Sequence, residues 1–158
     1  MTGAGSKNKQ GQLADFLPYQ LSITSNAVSS LIAQRYRSRF GLKITEWRVM
    51  AVLGDAGEAT QRELTEATLM DKVAVNRACK VLEERGLLER QPNSADGRSH
   101  HLALTSEGRA MRGEIMPLAL AMEEEIFAAF RDSEREAFRA MLKRVFDQAE
   151  KLGAAPRD

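Results

Sequence analysis

Val73, Asn76, Arg77 and Lys80 fall at i, i+3, i+4 and i+7, the spacing of one face of a helix. Val75, Ala78, Cys79 and Leu82 repeat that spacing on the opposite side and are apolar throughout. The outer set has the chemistry of major-groove reading: arginine bonds guanine bidentately, asparagine bonds adenine, and a valine methyl meets the methyl of thymine. Lys72 and Lys80 suit phosphates, which fix position and carry no sequence information directly. A polar helix face is by itself only a solvated face, so this reading depends on what flanks it.

The flanks supply an ordered context. Thr60 and Glu63 make the Thr-x-x-Glu pattern of a capping box, which opens a short helix ending near Thr68. Thr60, Gln61 and Arg62, at its start, are positioned to contact a DNA backbone through their side chains and the helix N-terminus. Asp71 caps the next helix, the one with two faces, and Gly86 closes it. Leu87 to Gln91 and Ser99 to Leu104 alternate in polarity around the tight-turn pair Asp96 and Gly97, which predicts a hairpin. Arg98 then lies at the tip, where a long cation projects as a groove or phosphate probe. An earlier helix, capped by Thr45 and running to about Gly54, turns Trp47, Met50, Ala51 and Leu53 to its apolar side. Three short helices followed by a hairpin are the order of a winged helix-turn-helix.

Long helices flank this centre. One is expected from Asp15, as cap, to Gly41, with Pro18 tolerated in its first turn and Arg35 to Arg39 as a solvated basic end. Two more run from about Thr105 to Phe130, bent at Pro117, and from Ser133 to Leu152, with Ser133 and Glu136 as a second capping box. Phe138, Met141, Leu142, Val145, Phe146, Ala149 and Leu152 make one apolar stripe on the last helix, and such a stripe needs a partner. The first helix and a second copy of the chain are the available partners, so a homodimer is expected. The fold class is therefore mainly α: a winged helix-turn-helix at about 45–105, with N- and C-terminal dimerisation helices at about 15–41 and 105–152. All of this forms a single domain, 13–152, behind a disordered tail of residues 1–12 rich in Gly, Ser, Lys, Asn and Gln.

Residues 71 to 90, DKVAVNRACKVLEERGLLER, and the following DGRSHHLALTSEG resemble the recognition helix and wing of the multiple antibiotic resistance regulator (MarR) family of transcription factors. Asp96, Arg98, Leu104, Thr105 and Gly108 match the wing signature of that family, and the likeness extends over roughly residues 15 to 152. The resemblance implies a homodimer on a pseudo-palindromic double-stranded DNA operator. Recognition helices would enter successive major grooves, and the Arg98 wings, held by Asp96, would reach the flanking minor grooves. It further implies a repressor released by a small-molecule effector, typically an aromatic acid or its thioester, bound between the dimerisation helices and the DNA-reading lobe. Tyr19, Tyr36 and Trp47 are the aromatic candidates for that pocket, with Arg48 as counter-charge.

Composition narrows the competing classes. A net charge of +1 does not advertise nucleic acid, yet it conceals polarity: residues 1–48 hold Lys7, Lys9, Arg35, Arg37, Arg39, Lys43 and Arg48 against Asp15 and Glu46. One cysteine excludes an internal disulfide, and no apolar run is of membrane-spanning length, so a cytoplasmic protein is expected. Cys79 lies on the buried stripe, a poor place for a redox sensor. His100 and His101 are adjacent on a strand, point to opposite faces and do not make a metal site. There is no glycine-rich phosphate loop, nucleophile elbow or acid–base constellation, so neither catalysis nor a cofactor is expected. The surviving alternative is a winged-helix module used only for protein contacts, which would tolerate loss of Arg77 and Arg98.

Overall fold

The computed structural model describes residues 12–92 and 99–154 of the chain. A 3-10 turn, Leu13–Asp15, precedes α1 (Leu17–Phe40), α2 (Ile44–Ala56), β1 (Glu58–Thr60), α3 (Gln61–Thr68), α4 (Lys72–Glu84), β2 (Leu88–Pro92), β3 (His100–Leu104), α5 (Ser106–Ile126) and α6 (Asp132–Ala154). Two compact units result, one ending at Met116 and one beginning at Pro117 inside α5. The residue 1–11 part of the expected tail and the hairpin turn at residues 93–98 lie outside the described residues.

Local chemistry explains most of these boundaries. The Thr60 hydroxyl accepts from the Glu63 N–H at 3.2 Å, while the Glu63 carboxylate accepts from the Thr60 N–H at 2.7 Å, so the capping box of α3 is complete. Asp71 caps α4 by accepting from the Ala74 N–H at 2.9 Å. Gly41 and Gly86 take the left-handed conformation, at φ 64° and 70°, that stops α1 and follows α4. Three expected caps move. Asp15 belongs to the 3-10 turn, and α1 starts after Phe16 with Pro18 in its first turn. Thr45 lies inside α2, whose start is fixed by the buried Glu46 carboxylate accepting from the Lys43 N–H at 2.9 Å. α6 begins one residue before Ser133, and Glu134 rather than Glu136 receives the backbone N–H, that of Arg131 at 2.8 Å.

The hairpin is one part of a three-stranded antiparallel sheet in the order β1-β3-β2. β3 pairs with β2 from Leu88↔Leu104 to Pro92↔His100, and with β1 at Glu58↔Ala103, Ala59↔Leu102 and Thr60↔His101. β1 is only three residues long and has no alternating pattern, so nothing in its sequence announced it. Its role is to seat the start of α3 on the sheet. The core of this unit is built from Leu42, Val49, Met50, Leu53, Leu64, Val75, Cys79, Leu82 and Leu102, all buried.

The Leu-Thr-x-x-Gly run has a distinct mechanical function. Leu104 is buried, and the Thr105 hydroxyl donates to the Gly86 carbonyl at 2.6 Å while accepting from the Gly108 N–H at 3.1 Å, which starts α5. A Cβ on Gly108 would fall 2.0 Å from the Leu87 carbonyl oxygen, so only glycine permits α5 to approach the α4–β2 turn this closely. In the second unit, Arg135 bonds Glu124 at 2.7 Å and the Phe127 carbonyl at 3.0 Å, and Phe138 packs on Phe127 with ring centroids 5.8 Å apart.

Thr60→Ala is expected to lower unfolding free energy by about 1 kcal/mol, the ordinary value of a lost N-cap, as measured by urea denaturation. The Thr60 backbone N–H, and after it the Thr60 side chain, bond the Glu63 carboxyl and hold it below the usual carboxylate range. A folded pKa below the unfolded one stabilises the native state at neutral pH, and that contribution disappears as pH falls through the folded value. The acid limb of the stability curve should therefore be shallower in Glu63→Gln, which removes the titrating group; an unaltered limb would show that this carboxyl adds nothing to the acid sensitivity.

Candidate nucleic-acid interface

α4 rotates as its two faces demand. Val75, Ala78, Cys79 and Leu82 are buried, and α2 and α3 both pack against this helix. Lys72, Val73, Asn76, Arg77 and Lys80 all stand exposed on the other side, Val73 at 59%. None of the three cations among them makes an ion pair with another described residue. An exposed methyl pair, an amide and unpaired cations on a rigid helix form a surface with its donors unspent.

α3 contributes at its N-terminal end. Gln61, Arg62, Thr65 and Glu66, with Lys72 at the start of α4, line a surface depression of about 450 Å³. Arg62 pairs with Glu66 at 3.2 Å across one helical turn, and both are exposed. Such a surface pair is worth little in water, so a phosphate can take the guanidinium from Glu66 at small cost. The Thr60 oxygen serves the cap, and its side chain also bonds the Glu63 carboxyl. Between the two helices Leu69 adopts a left-handed conformation at φ 54°, a position where glycine would relax the chain. Leu69 is also 67% exposed, so the tight turn presents an apolar side chain that periodicity could not anticipate.

Arg85 is a second residue that sequence reasoning missed. Its guanidinium donates to the Gly41 carbonyl at 3.1 Å and the Phe40 carbonyl at 2.9 Å, tying the end of α4 to the C-terminal, partially negative end of α1. Its partners lie more than forty residues upstream, beyond any local pattern. On the wing strands, His101 Nδ1 lies 3.1 Å from a Glu58 oxygen and braces β3 to β1, while His100 is exposed. Asp96 and Arg98, the expected wing residues, lie outside the described residues.

The four candidate pocket residues are only partly brought together. Tyr36 is buried and meets the half-buried Trp47 edge-on, with centroids 5.5 Å apart. Arg48 is exposed beside Trp47 in sequence. Tyr19 stands seventeen residues up α1 from Tyr36, roughly 25 Å at the helical rise, and does not share their site in one protomer.

With a capped α3, a tight turn, an exposed basic α4 and a three-stranded wing in place, likeness to known proteins can be weighed. A family model described as the MarR family matches residues 40–99, from the end of α1 into the wing. The chain is 32% identical over 126 residues to YwoH of Bacillus subtilis, an uncharacterized HTH-type transcriptional regulator, covering 78% of this chain and 91% of that protein. The chain belongs to the MarR family. Two solved structures share the fold. BpsR of Bordetella bronchiseptica, whose DNA binding is regulated by 6-hydroxynicotinic acid, superposes with a TM-score of 0.81 at 23% identity over 87% of this chain and 97% of that one. A cysteine-to-serine variant of E. coli MarR complexed with operator DNA superposes with a TM-score of 0.75 at 23% identity, over 82% of this chain and 92% of the other.

In this MarR-family chain the cysteine is a packing residue. Cys79 is fully buried, and desolvation pushes its thiol up to about 11, so the reactive thiolate is scarce at neutral pH. Native protein is expected to resist thiol alkylation at pH 7.5 and to label fully once urea unfolds it. Rapid labelling of the folded chain would reopen a redox role.

Proposed function

We propose that this MarR-family regulator is a sequence-specific DNA-binding repressor that acts as a homodimer on a pseudo-palindromic operator. The observation that carries the reading is the outer face of α4, where Asn76, Arg77 and Val73 are exposed together above a buried stripe. Arg77 and Asn76 read base edges, Val73 meets thymine methyls, and Lys72, Lys80 and Arg62 hold phosphates with Thr60 and Gln61. The family resemblance assigns Arg98 and Asp96, which lie outside the described residues, to the flanking minor groove. The E. coli relative bound to operator DNA has the same fold and supports this assignment by analogy.

Dimerisation is supported by uncovered apolar surface on two elements. The first half of α1 exposes Leu17, Tyr19, Leu21 and Ile23, while α6 exposes Met141, Leu142, Val145, Phe146 and Leu152. Faces of this character on a soluble chain mark association. Two recognition helices held one turn of DNA apart, about 34 to 36 Å, then read the two half-sites. A small-molecule effector, an aromatic acid or its thioester, releases the repressor by shifting the population away from that spacing. Tyr36 and Trp47, with Arg48, are the proposed contacts, and the regulation of BpsR by 6-hydroxynicotinic acid is the supporting parallel.

Salt-dependent titration on DNA from upstream of its own coding region tests the reading. Arg77→Ala should cost about 1 to 3 kcal/mol and relax base preference in a randomised-site selection. Lys80→Ala should weaken all sequences alike and reduce the salt slope by about one unit. Full retention of affinity and preference in both would transfer the surface to protein contacts. Val145→Asp should halve the mass seen by sedimentation and lower operator affinity with it; a dimer that survives places the interface elsewhere.

A further inference from the structure

Among the described residues, Leu69 alone takes a left-handed φ, 54°, without being glycine. There a side chain crowds its Cβ against the following carbonyl oxygen, a cost that glycine escapes. The conformation is imposed from both sides. α3 ends at Thr68 and α4 begins at Lys72, and the two helices are anchored in the core by the buried Leu64 and Val75. Asp71 fixes the start of α4, so only Leu69, Met70 and Asp71 remain to turn the chain.

Packing within the unit does little to offset this cost, because Leu69 is 67% exposed and most of its side chain stays in water in the free protein. An exposed leucine is ordinary by itself; one held in a conformation that favours glycine is not. Its position supplies a reason. Thr65 and Glu66, a turn before it, and Lys72, three residues after it, line the depression on the candidate interface, so this turn borders the surface assigned to DNA. Val73, four residues on, adds a second exposed apolar side chain at the start of α4. Phosphates and the polar base edges have nothing to offer a leucine. A duplex does present carbon, in the thymine methyls of the major groove and in the deoxyribose between phosphates. Given the DNA-reading function proposed above, on which this contact depends, we propose that Leu69 is a further DNA-contacting residue, packing on a thymine methyl or on deoxyribose carbons at the edge of the half-site, and that the strained turn is retained for it.

The test uses the full-length protein and the DNA it recovers from a randomised-site selection. Leu69→Gly should raise the urea midpoint, yet bind the selected DNA about tenfold more weakly, the order expected when one or two methyl groups no longer leave water. Its salt slope should equal that of the wild type, because an apolar contact releases no counterions. Leu69→Asn, which tolerates the left-handed conformation without the flexibility of glycine, should lose as much affinity, and Leu69→Met should restore most of it. Replacing the operator thymines one at a time by deoxyuridine separates the two carbon sources. A thymine whose methyl matters to the wild type but not to Leu69→Gly is the partner; if no thymine behaves so while Leu69→Gly stays weak, the partner is deoxyribose. Undiminished affinity in both Leu69→Gly and Leu69→Asn overturns the proposal, as does a lowered urea midpoint in Leu69→Gly, which would make the leucine a packing residue. A wild-type protein that selects no DNA sequence would instead remove the DNA-reading function itself, and this contact with it.

Discussion

The burial of one stripe on α4 is the constraint from which the rest of the DNA-reading unit follows. Val75, Ala78, Cys79 and Leu82 are all out of water, and α2 supplies Val49, Met50 and Leu53 to the same core. Each full burial of a valine- or leucine-sized side chain contributes about 1.5 to 3 kcal/mol. Successive helical residues are separated by 100°, so turning α4 by a single position would expose part of this stripe and bury Asn76 or Arg77 without partners. The second cost adds to the first, because a buried unpaired polar group is itself unfavourable by about 1 to 3 kcal/mol. The outer face is therefore fixed by what lies beneath it, and its side chains need not be held by contacts among themselves.

The other joints defend that rotation. Asp71 starts α4, Arg85 fastens its end to the last carbonyls of α1, and Thr105 with Gly108 ties the following turn to α5. These contacts act at both ends of a helix of thirteen residues.

What the sequence disclosed follows the range of each interaction. α3 and α4 were legible because capping boxes, side-chain caps and a two-faced helix are written within a few residues. The buried stripe and exposed face of α4 emerge as the spacing requires, and the Leu-Thr-x-x-Gly signature turns out to encode a cap, a tether and a close backbone approach. The misplaced starts of α2 and α6 have a common cause: a short polar residue near an apolar run looks like a cap, but a glutamate reaching back to a backbone N–H can begin the helix elsewhere, as Glu46 and Glu134 do. β1 and the Arg85 bracket depend on partners far along the chain, which no local pattern specifies. Leu69 was hidden for the opposite reason, since a left-handed leucine contradicts local preference and is tolerated only because the flanking helices are fixed.

Magnitudes also explain why one reading helix is insufficient and why the uncovered apolar faces fit the proposed function. A bidentate base contact discriminates by about 1 to 3 kcal/mol, so in the proposed complex Arg77 and Asn76 of one protomer would supply a few kcal/mol between them. Specific DNA binders stand about 4 to 10 kcal/mol above their own non-specific affinity. A second copy doubles the base contacts and makes the second half-site an intramolecular event. The same coupling makes operator affinity sensitive to spacing, because two weak readers that cannot engage together revert to the strength of one. On this account the leucines and aromatics of α1 and α6, useless to a monomer in water, belong to the specificity of the DNA contact as much as Arg77 does.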